Sequence, residues 1–255
     1  KDIADRLAPD PVAEAMAIEI CGKLTDPREK IAALARVVQR DITYKAIEFG
    51  VRARRPNAAR DILRQRYGDC KDHVLLLHQL LRAAKIESHL ALVHSVNRIQ
   101  PELPSLDQFN HMVLHVPALG NGWLLDPTDK YLPLMEVPAA GLWESHALIL
   151  DPAGPRLVPP AAAPAKGTAE IASQRKLSLD GRSWRVEETL TATGYSASWM
   201  RGVFADQTPA EQLRAAQTIL SRIGPVQVTE FKFENLDDPA EPPRISLSYL
   251  VPDAV

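Results

Sequence analysis

The sequence predicts an α+β protein in two parts: a core of helices packed on an antiparallel sheet over residues 1–150, and a smaller β-rich domain with one helix over 169–255. Three observations carry this. Helix start signals and apolar stripes at helical spacing fill residues 10–85. Short alternating apolar runs follow up to residue 150. Then a stretch with five prolines, "DPAGPRLVPPAAAPAK" at 151–166, separates that half from a second run of alternating strands. Helices first and strands after favour segregated layers over a parallel doubly wound sheet.

The elements follow in order. Asp10-Pro11 and Asp26-Pro27 are cap-plus-first-turn signals for two helices over residues 10–40, and Glu29 has capping-box spacing from Asp26. Residues 41–56 read as a loop, 57–65 as a short helix, and 70–85 as a long apolar helix. Strands are expected at 89–95, 109–116, 123–126 and 147–150, with a two-proline loop at 97–108. Residues 151–168 read as an extended linker. Beyond it, Asp180-Gly181 marks a hairpin turn and Thr208…Glu211 a capping box ahead of a helix. Two more strands are expected at "VQVTEFKFEN" and "RISLSYLV", and because the sequence stops just after the second, the last sheet is expected to be incomplete.

The 255 residues are 45% hydrophobic and 24% charged, with a formal net charge of −2. That balance gives no whole-chain argument for nucleic acid or a membrane surface, and no run of about 18 apolar residues offers a membrane span. The two cysteines, Cys21 and Cys70, make no disulfide framework. Cys21 shares a helical stripe with Ala17 and Leu24 and reads as core. The chain starts mid-sequence at Lys1, which suggests a piece of something longer.

Cys70 has a different setting. In "RYGDCKDHVLLLHQLLRAA" it follows a Gly68-Asp69 turn and opens the apolar helix, with Asp69 or Asp72 as cap. A helix start carries partial positive charge and free N–H groups, which favour a thiolate over a thiol of pKa about 8.5. A nucleophilic thiol needs an imidazole, and the imidazole needs a carboxylate. His111 stands in the strand "FNHMVLHV", 41 residues after Cys70, and Asp126 ends "WLLD" just before Pro127. If those strands are antiparallel neighbours, His111 and Asp126 meet at the sheet edge. An oxyanion would find the Cys70 N–H first, with Gln39 or Tyr44 as a second donor; either is equally readable as a helix-face or core residue.

"YGDCKDH…LLLHQLLRAAKIE", "FNHMVLHV" and "WLLDPTDKYL", in that order, resemble the transglutaminase-like superfamily, in particular its bacterial members, over roughly residues 10–150. The resemblance implies a papain-like fold with Cys70 as nucleophile, His111 as general base and Asp126 as its orienter. It implies thiol-dependent acyl-enzyme chemistry on a peptide or glutamine amide, with no cofactor and a protein or peptide as substrate. Hydrolysis is slightly favoured over transfer to an amine, because no calcium loop or lysine-accepting site is visible. A β-rich domain ahead of Lys1 and export to the periplasm or cell exterior are further expectations. His73 departs from the family, where many members carry a small residue or lysine.

Other readings remain open on sequence alone. Cys70 could be an inert core thiol, or a zinc ligand with His73, His111 or Asp126. The whole core could be a peptide- or glycan-binding scaffold that retains an inherited triad. Acyl transfer to a small amine, as in arylamine N-acetyltransferases, fits the triad order but not the residues around Cys70. Asp129 is the fallback for Asp126. His89, His94 and His115 read as satisfied or exposed imidazoles, while His78 and His146 carry no motif. Asp69, Lys71 and Asp72 read as capping and surface residues. Six arginines between Arg52 and Arg66 form either a positive rim for an acidic substrate or a solvated face offset by acids.

Overall fold

A computed structural model describes residues 3–47, 49–120, 123–135, 142, 145–160, 169–222, 224–236 and 241–252. The chain divides into two compact units, Lys1–Lys130 with Leu134–Pro164, and Tyr131–Pro133 with Ala165–Val255. It is an α+β protein with two separate antiparallel sheets. Among the described residues no helix is long and apolar enough to cross a membrane.

In the first unit, α1 (Pro11–Cys21) and α2 (Pro27–Asp41) start at the expected caps. Asp10 accepts from the Val12 N–H and Asp26 from the Arg28 N–H. The Glu29 capping box does not form there. Strand β1 (Thr43–Tyr44) runs parallel to β2 (Tyr67–Gly68), and the short helix α3 (Ala59–Gln65) lies between them in sequence. Next comes α4 (Cys70–Ala83), whose Val74, Leu75, Leu76, Leu77, Leu80 and Leu81 are all buried. A helix apolar on nearly every side must be covered on every side. Helices α1, α2 and α3 pack against it on one flank, and strands β3 (His89–Val93) and β4 (His111–His115) on the other.

The sheet has the order β5-β4-β3-β6-β7, with β5 at Leu124–Leu125, β6 at Ala147–Ile149 and β7 at Arg156–Val158. All its pairs are antiparallel, in registers such as Val93↔His111 and His115↔Leu124. Strand β7 falls inside the stretch expected to be linker. Prolines flank it but do not interrupt it, and an edge strand tolerates them because one side of its ladder faces no partner. The rest of that stretch, 161–168, lies outside the described residues.

The second unit is a four-stranded sheet, β10-β11-β9-β8, with β8 at Ala169–Asp180, β9 at Ser183–Thr193, β10 at Gln227–Glu234 and β11 at Arg244–Val251. The hairpin turns at Gly181, whose φ of 64° suits glycine. Helix α6 (Pro209–Leu220) carries the Thr208–Glu211 capping box. A second helix, α5 (Gly194–Phe204), corrects the expectation of one helix. Its glycines, serines and tryptophan give weak helix propensity. Burial of Ala197, Met200 and Phe204 at spacings of three and four overrides this. Arg201 on α5 is fully buried and donates to the Asn235 and Glu241 carbonyls, tying α5 to the β10–β11 connection.

At the far end of α4, His78 hydrogen-bonds the Ser88 hydroxyl at 2.9 Å. Burial, then the charges of Arg82 and His89, pull its pKa down to about 4. An unfolded histidine binds its proton near pH 6.5, so the unfolded chain takes up more protons as the pH falls below that value. Stability is therefore intact above about pH 6.5 and lost on acidification toward pH 4, at a cost of about 3 kcal/mol for this group. Urea unfolding at pH 7 and pH 4.5 should show His78→Gln losing about 2 kcal/mol less than the wild type. Equal losses would contradict the assignment.

Candidate active site

The site begins with a turn that has no room for a side chain. Arg66 ends α3 in the left-handed region, at φ 59°, and turns the chain into β2. At Gly68 a Cβ would sit 2.4 Å from Asp72 Cβ and 2.7 Å from its Oδ2. Asp72 lies so close because its carboxylate folds back over the helix start. It accepts from the Asp69 N–H at 3.4 Å, and from the Asn57 N–H and Nδ2 at 2.7 and 2.9 Å. Asp69 in return accepts from the N–H groups of Lys71 and Asp72, so the cap is reciprocal. Lys71 Nζ lies 2.8 Å from Asp69 Oδ2. Asp69 and Asp72 cap the helix as expected and Lys71 pairs with Asp69, but all three are buried rather than at the surface. Burial raises the Asp72 pKa; the Asn57 hydrogen bonds oppose that and the Asp69 charge adds to it.

Cys70 is the first residue of α4 and is 3% exposed. His111 is the first residue of β4. Extending the β4–β5 register puts Asp126 opposite Val113, diagonal to His111, within reach of two polar side chains. The contact is made: His111 Nε2 lies 2.7 Å from Asp126 Oδ2. With Nε2 so engaged, Nδ1 is the ring nitrogen left for another partner, and Cys70 lies near enough to bear on the protonation of the ring. Burial lowers the His111 pKa. The Asp126 hydrogen bond and charge, together with the influence of Cys70, outweigh it and push the value up to about 10. Burial likewise raises the Asp126 pKa, but His111 and then Thr128 bring it below the ordinary carboxylate range.

The remaining candidates have other partners. Gln39 is buried on α2 and donates to the Asp129 carbonyl at 2.5 Å, bracing the loop after Asp126. Tyr44 is exposed on β1, beside Gly68, with its ring 5.8 Å from that of His73. His73 faces carbonyl oxygens with both nitrogens, Asp69 at 2.9 Å and Ile42 at 3.0 Å. It ties α4 to the end of α2 and has no lone pair aimed at a metal shared with Cys70. Among the described residues no group of three His, Cys, Asp or Glu side chains could hold a metal ion.

Five of the six arginines of the 52–66 stretch meet acids, Arg54–Asp107, Arg55–Asp5, Arg60–Asp10, Arg64–Asp61 and Arg66–Asp41, and the Arg52 side chain lies outside the described residues. Among the described residues the face is an offset one rather than a free positive rim. His89 and His115 stack at 6.0 Å, and His115 Nδ1 is buried without a hydrogen-bond partner, so that imidazole is not fully satisfied. Asn57 and Thr128 were not anticipated. Asn57 carries no sequence signal, whereas Asp-Pro-Thr is a turn sequence that could have pointed to Thr128.

Asp126→Asn keeps an oxygen near the ring but removes the charge. It should lower the titration midpoint of His111 from about 10 by about one to three pH units, followed through the ring resonances by NMR. A midpoint unmoved by the substitution would contradict the pairing.

Residues 14–126 match the family model described as the transglutaminase-like superfamily. A crystal structure of a "putative protease" from Parabacteroides distasonis aligns with 98% of this chain at TM-score 0.50 and 9% identity. This chain spans only 51% of that protein's length. A "putative cysteine protease" from Cytophaga hutchinsonii aligns over 50% of this chain and 42% of its own, at TM-score 0.35 and 21% identity. No curated protein matches the chain. Cys70, His111 and Asp126 all fall within residues 14–126, the stretch of this chain that is similar to the transglutaminase-like superfamily.

Proposed function

We propose that this protein forms a thioester on Cys70 and hydrolyses amide bonds in a protein or peptide. The observation that carries the reading is the 2.7 Å contact of His111 Nε2 with Asp126 Oδ2, in a ring whose protonation Cys70 also favours. A ring held protonated up to about pH 10 beside a sulfur is suited to an ion pair at neutral pH. In the first half-reaction the thiolate attacks the amide carbonyl carbon, and His111 gives its proton to the leaving nitrogen as the C–N bond breaks. In the second, His111 takes a proton from water, whose oxygen attacks the thioester, and the acid leaves Cys70 as thiolate while the ring is again protonated. Asp126 holds the ring and balances its charge in both halves. The Cys70 N–H, which the Asp69 cap does not claim, is the first donor to the oxyanion.

An amine in place of water makes a new amide by the same steps, so transfer to an amine is the second reading. Hydrolysis is preferred because the sequence offers no calcium loop and no lysine-accepting site.

Dimethylated casein incubated with and without a fluorescent primary amine tests the choice. The expected result is casein fragments without label, abolished in Cys70→Ala. Label on intact casein would overturn hydrolysis in favour of transfer. Neither product, with an unlabelled Cys70, would move the protein to a binding or scaffold role.

A further inference from the structure

Asp126 uses its two oxygens differently. Oδ2 faces His111 at 2.7 Å, whereas Oδ1 accepts from the Thr128 N–H at 3.1 Å and from the Thr128 hydroxyl at 2.6 Å. Pro127 between them has no N–H and a nearly fixed φ, so the turn closes on Thr128 and on no nearer donor. A free carboxylate can present either oxygen by rotating about its last bond; this one is held from behind by two donors on one residue.

We infer that Thr128 is a positioning residue for the His111–Asp126 pair, its two hydrogen bonds to Oδ1 fixing the carboxylate so that Oδ2 faces the imidazole. This rests on the reading that the pair serves Cys70. The hydroxyl has a second effect of known sign: a donor to a carboxylate favours its charged form, so it keeps Asp126 ionised to lower pH. Both Thr128 donors, the N–H and the hydroxyl, go to Asp126 Oδ1, so Thr128 acts through Asp126.

The test compares Thr128→Val, which keeps the N–H and the shape, with Thr128→Ser, which keeps the hydroxyl, both in a Cys21→Ser background. Two readouts are taken: the pH titration of the His111 ring by NMR, and the iodoacetamide rate at Cys70 near pH 6. Thr128→Val should move the acid-side transition of the pair up by about one pH unit and slow alkylation several-fold. Thr128→Ser should titrate and react as the wild type. A residue needed only for folding would lower the thermal midpoint and leave the titration where it was. A Thr128→Val titration identical to wild type overturns the inference. If Thr128→Val fails to fold, Thr128→Ala makes the same comparison. The wider reading fails separately: alkylation indifferent to His111→Ala would remove the role of the pair, while the effect of Thr128 on the titration would still be measured.

Discussion

The start of α4 is the constraint on which the first unit turns. A helix leaves its first N–H groups without partners, and here the start is buried, so water cannot supply them. Asp69 and Asp72 supply them from inside the turn, and their charge is in turn held by Lys71 and by two donors from Asn57. Gly68 is demanded by that arrangement, since Asp72 occupies the space a Cβ would need. The result is a cysteine at a capped helix N-terminus, with its own N–H not taken by the Asp69 side chain. Removing the Lys71 ammonium would leave the buried Asp69 carboxylate without its cation, which costs more than the pair itself contributes.

The sheet then places the partners. Register, not proximity in sequence, brings residues 111 and 126 together, and β4, which His111 opens, packs on α4, which Cys70 opens. The three groups settle one another: the carboxylate and the sulfur hold the ring protonated, and the ring together with Thr128 holds the carboxylate ionised.

Much of this was legible in the residues. The caps at Asp10, Asp26 and Asp69, the strands around His111 and Asp126, and the Thr208 box are local signals, and local physics decides them. What escaped depends on long-range contacts. Asn57 meets Asp72 from 15 residues away with no motif to announce it. The burial of Lys71 reverses the usual habit of lysine and is explained only by the Asp69 carboxylate beside it. Gln39, considered as an oxyanion donor, spends an amide hydrogen on the Asp129 carbonyl, a partner visible only in the folded chain. Helix α5 was hidden by weak propensity that tertiary burial overrides.

The account stands on the coupling of Cys70 to His111, and the alkylation rate of Cys70 against pH measures it most directly. Intact-mass labelling with Cys21→Ser removes the second thiol. An ordinary thiol of pKa about 8.5 is under about 1% ionised at pH 6. The account predicts a rate at pH 6 close to that at pH 8, falling on the order of a hundredfold at pH 6 in His111→Ala. A rate that climbs through the ordinary thiol range and ignores His111→Ala would contradict it.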